Sequence, residues 1–263
     1  MMGNPRVVAG AVAVMLALGC SACGAGGGGG SSSSGSGSPS ASSSSQDEGQ
    51  KIASSLGERA KFLLDYKDKE YPRSDEETAM LQRAVDNGGV VSRADYEAAW
   101  NNYKQCLVDK GYVAPQLYKY PHGLYDLPAT DHNGLTQEQS DKADSDAVYC
   151  YSTYTMQVND QYCLQFGNEA LTSDDYQAIV DCLHKQGVAP ASYTKEQYKN
   201  DAEEWEDSLA SGDDSASPQD ASASANEESA YHIDFDDPNA SECLVANGWS
   251  YDNGLKTEWR PLG

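Results

Sequence analysis

The chain has 263 residues, a formal net charge of -23 and a sequence pI near 4.3. That acid excess speaks against nucleic acid as a partner and against docking on anionic lipid headgroups, both of which favour basic surfaces. Three Phe and four Trp stand beside seventeen Tyr, so the core is expected to be modest and built largely from rings with a polar end.

The N-terminus carries Arg6, an apolar run from Val7 to Leu18, and small residues after it. About a dozen apolar residues are too few for a spanning helix, which needs roughly 20, and fit an export signal over residues 1–19. The segment Leu16-Ala17-Leu18-Gly19-Cys20 resembles the lipobox of bacterial lipoproteins, in which the cysteine is acylated and becomes the new N-terminus. Ala17 departs from the usual leucine three residues before the cysteine. Cys20 is the expected lipidation site, Cys23 the second candidate, and the alternative is an ordinary secretory signal cut near Ala22 or Ala25. From residue 20 to 45 the chain is almost entirely Gly, Ser and Ala and offers no apolar face to bury, so it reads as a disordered tether. At about 5–6 Å times the square root of some 22 residues, its reach is on the order of 25 Å.

Residues 46–210 read as one helical domain. An early helix is expected from about Gln50 to Tyr66, with Ile52, Leu56, Ala60 and Leu63 on one side. Five later starts have the form of a capping box or its Asp variant: Ser74 with Glu77, Ser92 with Asp95, Thr136 with Gln139, Thr172 with Asp175, and Thr194 with Gln197. Apolar or aromatic stripes follow at helical spacing: Tyr96, Trp100, Tyr103 and Leu107; then Ala147, Tyr151, Tyr154 and Val158; then Tyr198, Ala202, Trp205 and Leu209. Residues 113–133 form a long Pro- and Tyr-rich connection, expected to be either functional or packed as an ordered loop. Short strand pieces are conceivable only near Tyr231 to Phe235 and Trp249 to Tyr251. Residues 211–230 make an acidic low-complexity insert expected to be disordered, and residues 231–263 a short helix begun by Asp237-Pro238 and a tail, docked on the main domain.

Three places share one pattern: Cys106-Leu107 with Gly111-Tyr112, Cys182-Leu183 with Gly187-Val188, and Cys243-Leu244 with Gly248-Trp249. If each Gly is the left-handed residue just past a helix end, the Leu lies three positions inward and the residue after the Gly packs back on it, as in a Schellman stop. The preceding Cys places a cross-link beside that stop. Outside the membrane these cysteines are expected to be oxidised. If Cys150 and Cys163 share one helix, 13 residues at about 100° each set them some 140° apart around the axis, which forbids a bond between them. The preferred pairing is Cys106 with Cys150 and Cys182 with Cys243, leaving Cys163 as a buried thiol.

The lipobox, the Gly/Ser tether, the repeated CLxxxG motif with aromatic residues before it, and the string from Tyr162 to Gly167 look like small, uncharacterised surface lipoproteins of Gram-positive actinobacteria, over about Ser92 to Val188. The resemblance implies location and disulfides and lends no activity.

Chemistry-bearing residues are sparse. His122, His132, His184 and His232 are dispersed, and none stands in a zinc-protease motif or beside a nucleophile motif. His122 and His132 share the long loop with Asp126 and Asp131, which is the basis of an alternative reading as a hydrolase with a noncontiguous His/carboxylate site. His184, near a helix end, is expected to meet the terminal carbonyls. Asp234, Asp236, Asp237, Asn239 and Glu242 crowd together as calcium ligands would, but Pro238 and Asn239 break the EF-hand order, and Asp237 reads better as a helix cap. No catalytic residue, metal ligand set or cofactor is therefore assigned. The sequence reads as an all-α, disulfide-containing domain after a signal peptide and tether. Its expected role is a non-enzymatic lipoprotein on the extracytoplasmic face of the cell membrane, meeting an envelope protein or wall component through surfaces such as the loop with Tyr118, Tyr120, Pro121, Tyr125 and Pro128.

Overall fold

The computed structural model describes residues 50–211, 232–249 and 258–263. Cys20, Cys23, the signal, the tether and nearly all of the acidic insert lie outside them. Among the described residues the fold is helical: α1 (Leu56–Asp65), α2 (Asp75–Asp86), α3 (Arg93–Asp109), α4 (Gln137–Tyr154), α5 (Met156–Gly167), α6 (Asp175–Lys185), α7 (Lys195–Ser211) and α8 (Pro238–Ala246). None of these helices is long and apolar enough to cross a membrane.

Side-chain caps set most of the starts. Ser74, Ser92, Thr136 and Thr194 each accept from the backbone N–H three residues on, and at Thr136 and Thr194 the Gln side chain also receives the cap residue's own N–H. Two starts differ from the sequence reading. The first helix begins at Leu56, capped by Ser55, because Gln50 to Ile52 are drawn instead into backbone bonds with Leu171 and Ser173. The sixth begins at Asp175 with Asp174 as its cap, while Thr172 Oγ1 accepts from Asp174 N and so sits two residues too early.

Helices α4 and α5 correct a larger expectation, since the stripe from Ala147 to Val158 is not one helix. It breaks at Thr155, whose hydroxyl donates to Ala99 O at 3.0 Å. The backbone N–H groups of Gln157 and Val158, freed by the break, donate to Glu77 Oε1 at 2.9 and 3.1 Å. A carboxyl oxygen from α2 thus does for α5 what a local cap does elsewhere.

The three CLxxxG segments end their helices alike. Tyr112, Val188 and Trp249 donate to the carbonyls of Leu107, Leu183 and Leu244 at 3.0 Å each, and Gly111, Gly187 and Gly248 have φ of 93°, 71° and 83°. The three leucines are buried. Disulfides join Cys106 to Cys150 and Cys182 to Cys243, with Cα separations of 5.7 and 5.6 Å, and Cys163 remains a buried free thiol. The helix break places Cys150 and Cys163 on different helices, so the angular premise for separating them does not apply. Closing loops of 44 and 61 residues contributes on the order of 4 kcal/mol each in the chain-entropy account.

The connection 113–133 is ordered. It folds into an antiparallel pair, β1 (Tyr118–Lys119) with β2 (Tyr125–Asp126), turned through Gly123, and then β3 (Ala129–Thr130) pairs in parallel with β4 (Glu258–Trp259) near the C-terminus. Trp259 donates its indole N–H to Val113 O at 2.7 Å, and Arg260 pairs with Asp131 at 2.8 Å. The segment from His232 to Phe235 forms no strand, and the piece near Trp249 to Tyr251 lies partly outside the described residues.

Two buried clusters make the core. One gathers α1 to α5 with the loop and Trp259, around Leu81, Tyr96, Trp100 and Leu107; the other gathers α6, α7 and α8 around Ile179, Tyr198, Phe235 and Leu244. Helix α8 contributes Cys243 and Leu244 to the second and Ala246 to the first.

Gly89 turns the chain after α2 with φ 95°, and a Cβ there would lie 2.1 Å from Leu56 C. At Gly111 the φ is equally positive but a Cβ would meet nothing within 4 Å. Gly111→Ala is therefore expected to cost about 1–2 kcal/mol, the penalty of a left-handed residue. Gly89→Ala should cost at least twice as much because α1 must also move, a ranking that urea unfolding of the two variants checks.

Candidate functional site

A cleft with a volume of about 650 Å³ lies where α1, α5, the β2 segment and the end of α8 meet. One side comes from Asn159, Asp160, Cys163 and Leu164 of α5; Tyr125 to Ala129 form a second; Val245 to Trp249 form a third; Ile52 and Arg59 stand at the α1 side. Its aromatic lining includes Trp100 and Tyr151, with ring centroids 5.7 Å apart, and Tyr125, whose ring lies 6.1 Å from Trp100. Tyr125 also stacks on Tyr96 at 5.8 Å, and Tyr96 on Tyr162 at 3.9 Å, which fixes the lining from behind.

Polar groups in this cleft divide into those the fold satisfies and those it does not. Asn159 accepts from the Tyr96 hydroxyl and donates to the Tyr151 hydroxyl. Asn168 is closed on Thr172 through both ends of its amide. By contrast, Trp100 is 2% exposed and its indole N–H has no hydrogen-bond partner. The Tyr96 hydroxyl is near enough to be influenced by that N–H, but it is engaged by Asn159 and by Tyr125 N, and the geometry to Trp100 is not that of a hydrogen bond.

Arg59 and Asp160 are the second unsatisfied element. Neither side chain makes a hydrogen bond or ion pair among the described residues; Arg59 only rests over the Phe62 ring, 5.4 Å from its centre. The two feel each other electrostatically without touching. Asp160 keeps accessible surface, but the cleft walls crowd it, and desolvation pushes its carboxyl up to about 6 against the smaller pull of Arg59. Desolvation also lowers the Arg59 guanidinium from its ordinary value. Asp175, at the same cleft, is raised by desolvation and by neighbouring Asp174.

Cys163 lines the cleft with its thiol turned to Asn159 Oδ1 at 3.7 Å. Burial, helped by the nearby carboxylates, raises the thiol far above its ordinary range, so it stays neutral and is a poor nucleophile.

The histidines are employed elsewhere. Backbone N–H and ring Nδ1 of His122 both meet the fully buried carboxylate of Glu242, at 3.0 and 2.8 Å to Oε2, and Leu124 N donates to its other oxygen at 3.2 Å. His232 repeats the arrangement on buried Asp201, with its N–H at 3.0 Å and Nδ1 at 2.9 Å, and the Tyr193 hydroxyl donates there at 2.8 Å. His132 Nε2 stands 3.7 Å from Asp144, so the loop does not join it to His122 in one site. His184 Nε2 is buried without a partner, and the expected contact of that nitrogen with helix-end carbonyls is not formed. The crowded acidic group near α8 disperses likewise: Asp237 caps the helix through Asn239 N, and Glu242 faces the hairpin. Among the described residues no group of three or more His, Cys, Asp or Glu side chains is placed to hold a metal.

The tyrosines proposed as a surface mostly pack inward. Tyr120 is 3% exposed, Tyr118 meets it edge-on at 4.7 Å, and Tyr125 belongs to the cleft. Sequence reading found Trp100 and Tyr151 as stripe residues but not as cleft lining, and it missed Arg59 and Asp160 because single charges on helices resemble any solvated face.

Glu77 supplies a pH test of the fold. Burial raises its carboxyl from an ordinary 4.5 to about 8, outweighing the two backbone N–H groups and Arg73. The folded state therefore holds a proton that the unfolded chain has lost, and this group's contribution to stability falls as pH rises from 4.5 to 8. Glu77→Gln removes that slope: its stability relative to the wild type should improve between pH 5 and pH 8, by at most about 1.4 kcal/mol per pH unit, in denaturant titrations at both values.

Comparison with protein-family models, curated proteins and solved structures finds no match to this chain.

Proposed function

We propose that the chain is an extracytoplasmic lipoprotein, held at the outer face of the cell membrane through Cys20, and that its helical domain binds a small polar ligand of the envelope in the α1/α5/α8 cleft without transforming it. The address rests on the N-terminal sequence and on cysteines that pair in the fold, the usage of an oxidising compartment. The binding role rests on one observation above the others: a cleft of ligand size is lined by aromatic rings and by a guanidinium and a carboxyl that pair with no described side chain.

The rival hydrolase reading gains nothing from the geometry. His122 is absorbed by Glu242, His132 lies beside Asp144, and neither lines the cleft.

Two measurements test the proposal. Metabolic labelling with a clickable fatty acid should be lost in Cys20→Ala and kept in Cys23→Ala; loss only in Cys23→Ala overturns the anchor assignment. A thermal-shift screen of amino acids, peptides, amines, sugars and organic acids should yield a compound that raises the melting temperature of the wild type but not of the Arg59→Gln/Asp160→Asn double variant. Identical melting of both proteins with every compound overturns the binding role.

A further inference from the structure

Two features of the cleft restrict what it can hold, if it is the binding site proposed above. The first is its charge. Arg59 and Asp160 face the same space with opposite signs, and they are not paired with each other. An anion would find Arg59 but would also meet Asp160, Asp126 and Asp175. A simple cation would be drawn to the carboxylates yet leave the guanidinium desolvated and uncompensated. A neutral sugar would leave both charges as they stand. A ligand with one positive and one negative end answers both.

The second feature is size. A cavity of about 650 Å³ holds more than one amino acid, and its apolar lining of Trp100, Tyr125, Tyr151 and Leu164 can take a hydrophobic side chain between two charged ends.

We infer that the cleft binds a short zwitterionic peptide, with its carboxylate on Arg59, its ammonium on Asp160 and an apolar side chain among the rings. This rests on the cleft being a binding site and adds the class of ligand. A free amino acid carries the same two charges but fills less of the cavity, so it binds more weakly.

The test uses the full lipidated chain in detergent micelles and isothermal titration with the tripeptide Ala-Phe-Ala. Comparison probes are its N-acetylated form, its C-terminal amide, free L-phenylalanine, phenethylamine and N-acetylglucosamine. Blocking either end should weaken binding at least tenfold. Arg59→Gln should abolish the difference between acid and amide while keeping that between free and acetylated peptide, and Asp160→Asn should do the reverse.

Equal affinity of capped and uncapped peptides overturns the assignment. So does tighter binding of L-phenylalanine, phenethylamine or N-acetylglucosamine than of the tripeptide, although each of these leaves the cleft a binding site. Absence of binding by the peptides, with another hit in the thermal-shift screen, defeats only the ligand class; absence of both defeats the reading on which it rests.

Discussion

Helix α8 holds the two halves of the core in one piece, and it does so from adjacent residues. Glu242 is fully buried and accepts from two backbone N–H groups of the hairpin turn as well as from His122 Nδ1. The next residue, Cys243, is bonded to Cys182 of α6. Two positions beyond Leu244, Ala246 packs where Gly167 ends α5, so closely that a Cβ on the glycine would lie 2.5 Å from the alanine's. A charge placed in such an interior is strongly penalised unless donors surround it. Removing either the carboxylate or the turn would strand the other, so this contact specifies the seating of α8 as well as holding it. Asp201 and His232 repeat the same chelate at the entry to α8.

The cleft follows from that seating. One wall is the end of α8, a second is the strand just after the His122 turn, and α5 lies between them. The aromatic residues behind are packed against one another through Tyr96 and Tyr162, so the lining is preorganised rather than assembled on arrival of a ligand. Preorganisation also explains why the unsatisfied groups persist. The indole of Trp100 cannot rotate toward an acceptor without disturbing contacts to Tyr103, Tyr125 and Tyr151.

What could be read from the sequence was local. Ser74, Ser92, Thr136 and Thr194 lie within three residues of the N–H groups they cap, and the CLxxxG segments write a helix stop in six or seven consecutive residues. The helical class follows from such features together with the stripes. What stayed hidden was carried by distant partners. Nothing near Thr155 announces a break, because the cap that permits it comes from Glu77, some eighty residues earlier. Thr172 has the spacing of a cap but loses to Asp174 once Asn168 and Gln50 have claimed the surrounding backbone. Glu242 and Asp201 are indistinguishable in sequence from the many acids that face water. The cleft was illegible for the same reason: Arg59 of α1 and Trp100 of α3 are separated by the whole of α2 and meet one opening only in three dimensions.

The bond between Cys182 and Cys243 gives the molecule a continuity that its backbone alone does not have. Between those residues lie α7, the acidic stretch and the approach to α8. A proteolytic cut anywhere in that span produces two polypeptides but still one covalent object, with α8 retained beside α6 and the cleft's third wall retained with it. The interval from 186 to 236 is thus a region in which the chain can be severed, or rewritten in length, without cutting the last helix loose from the domain it completes.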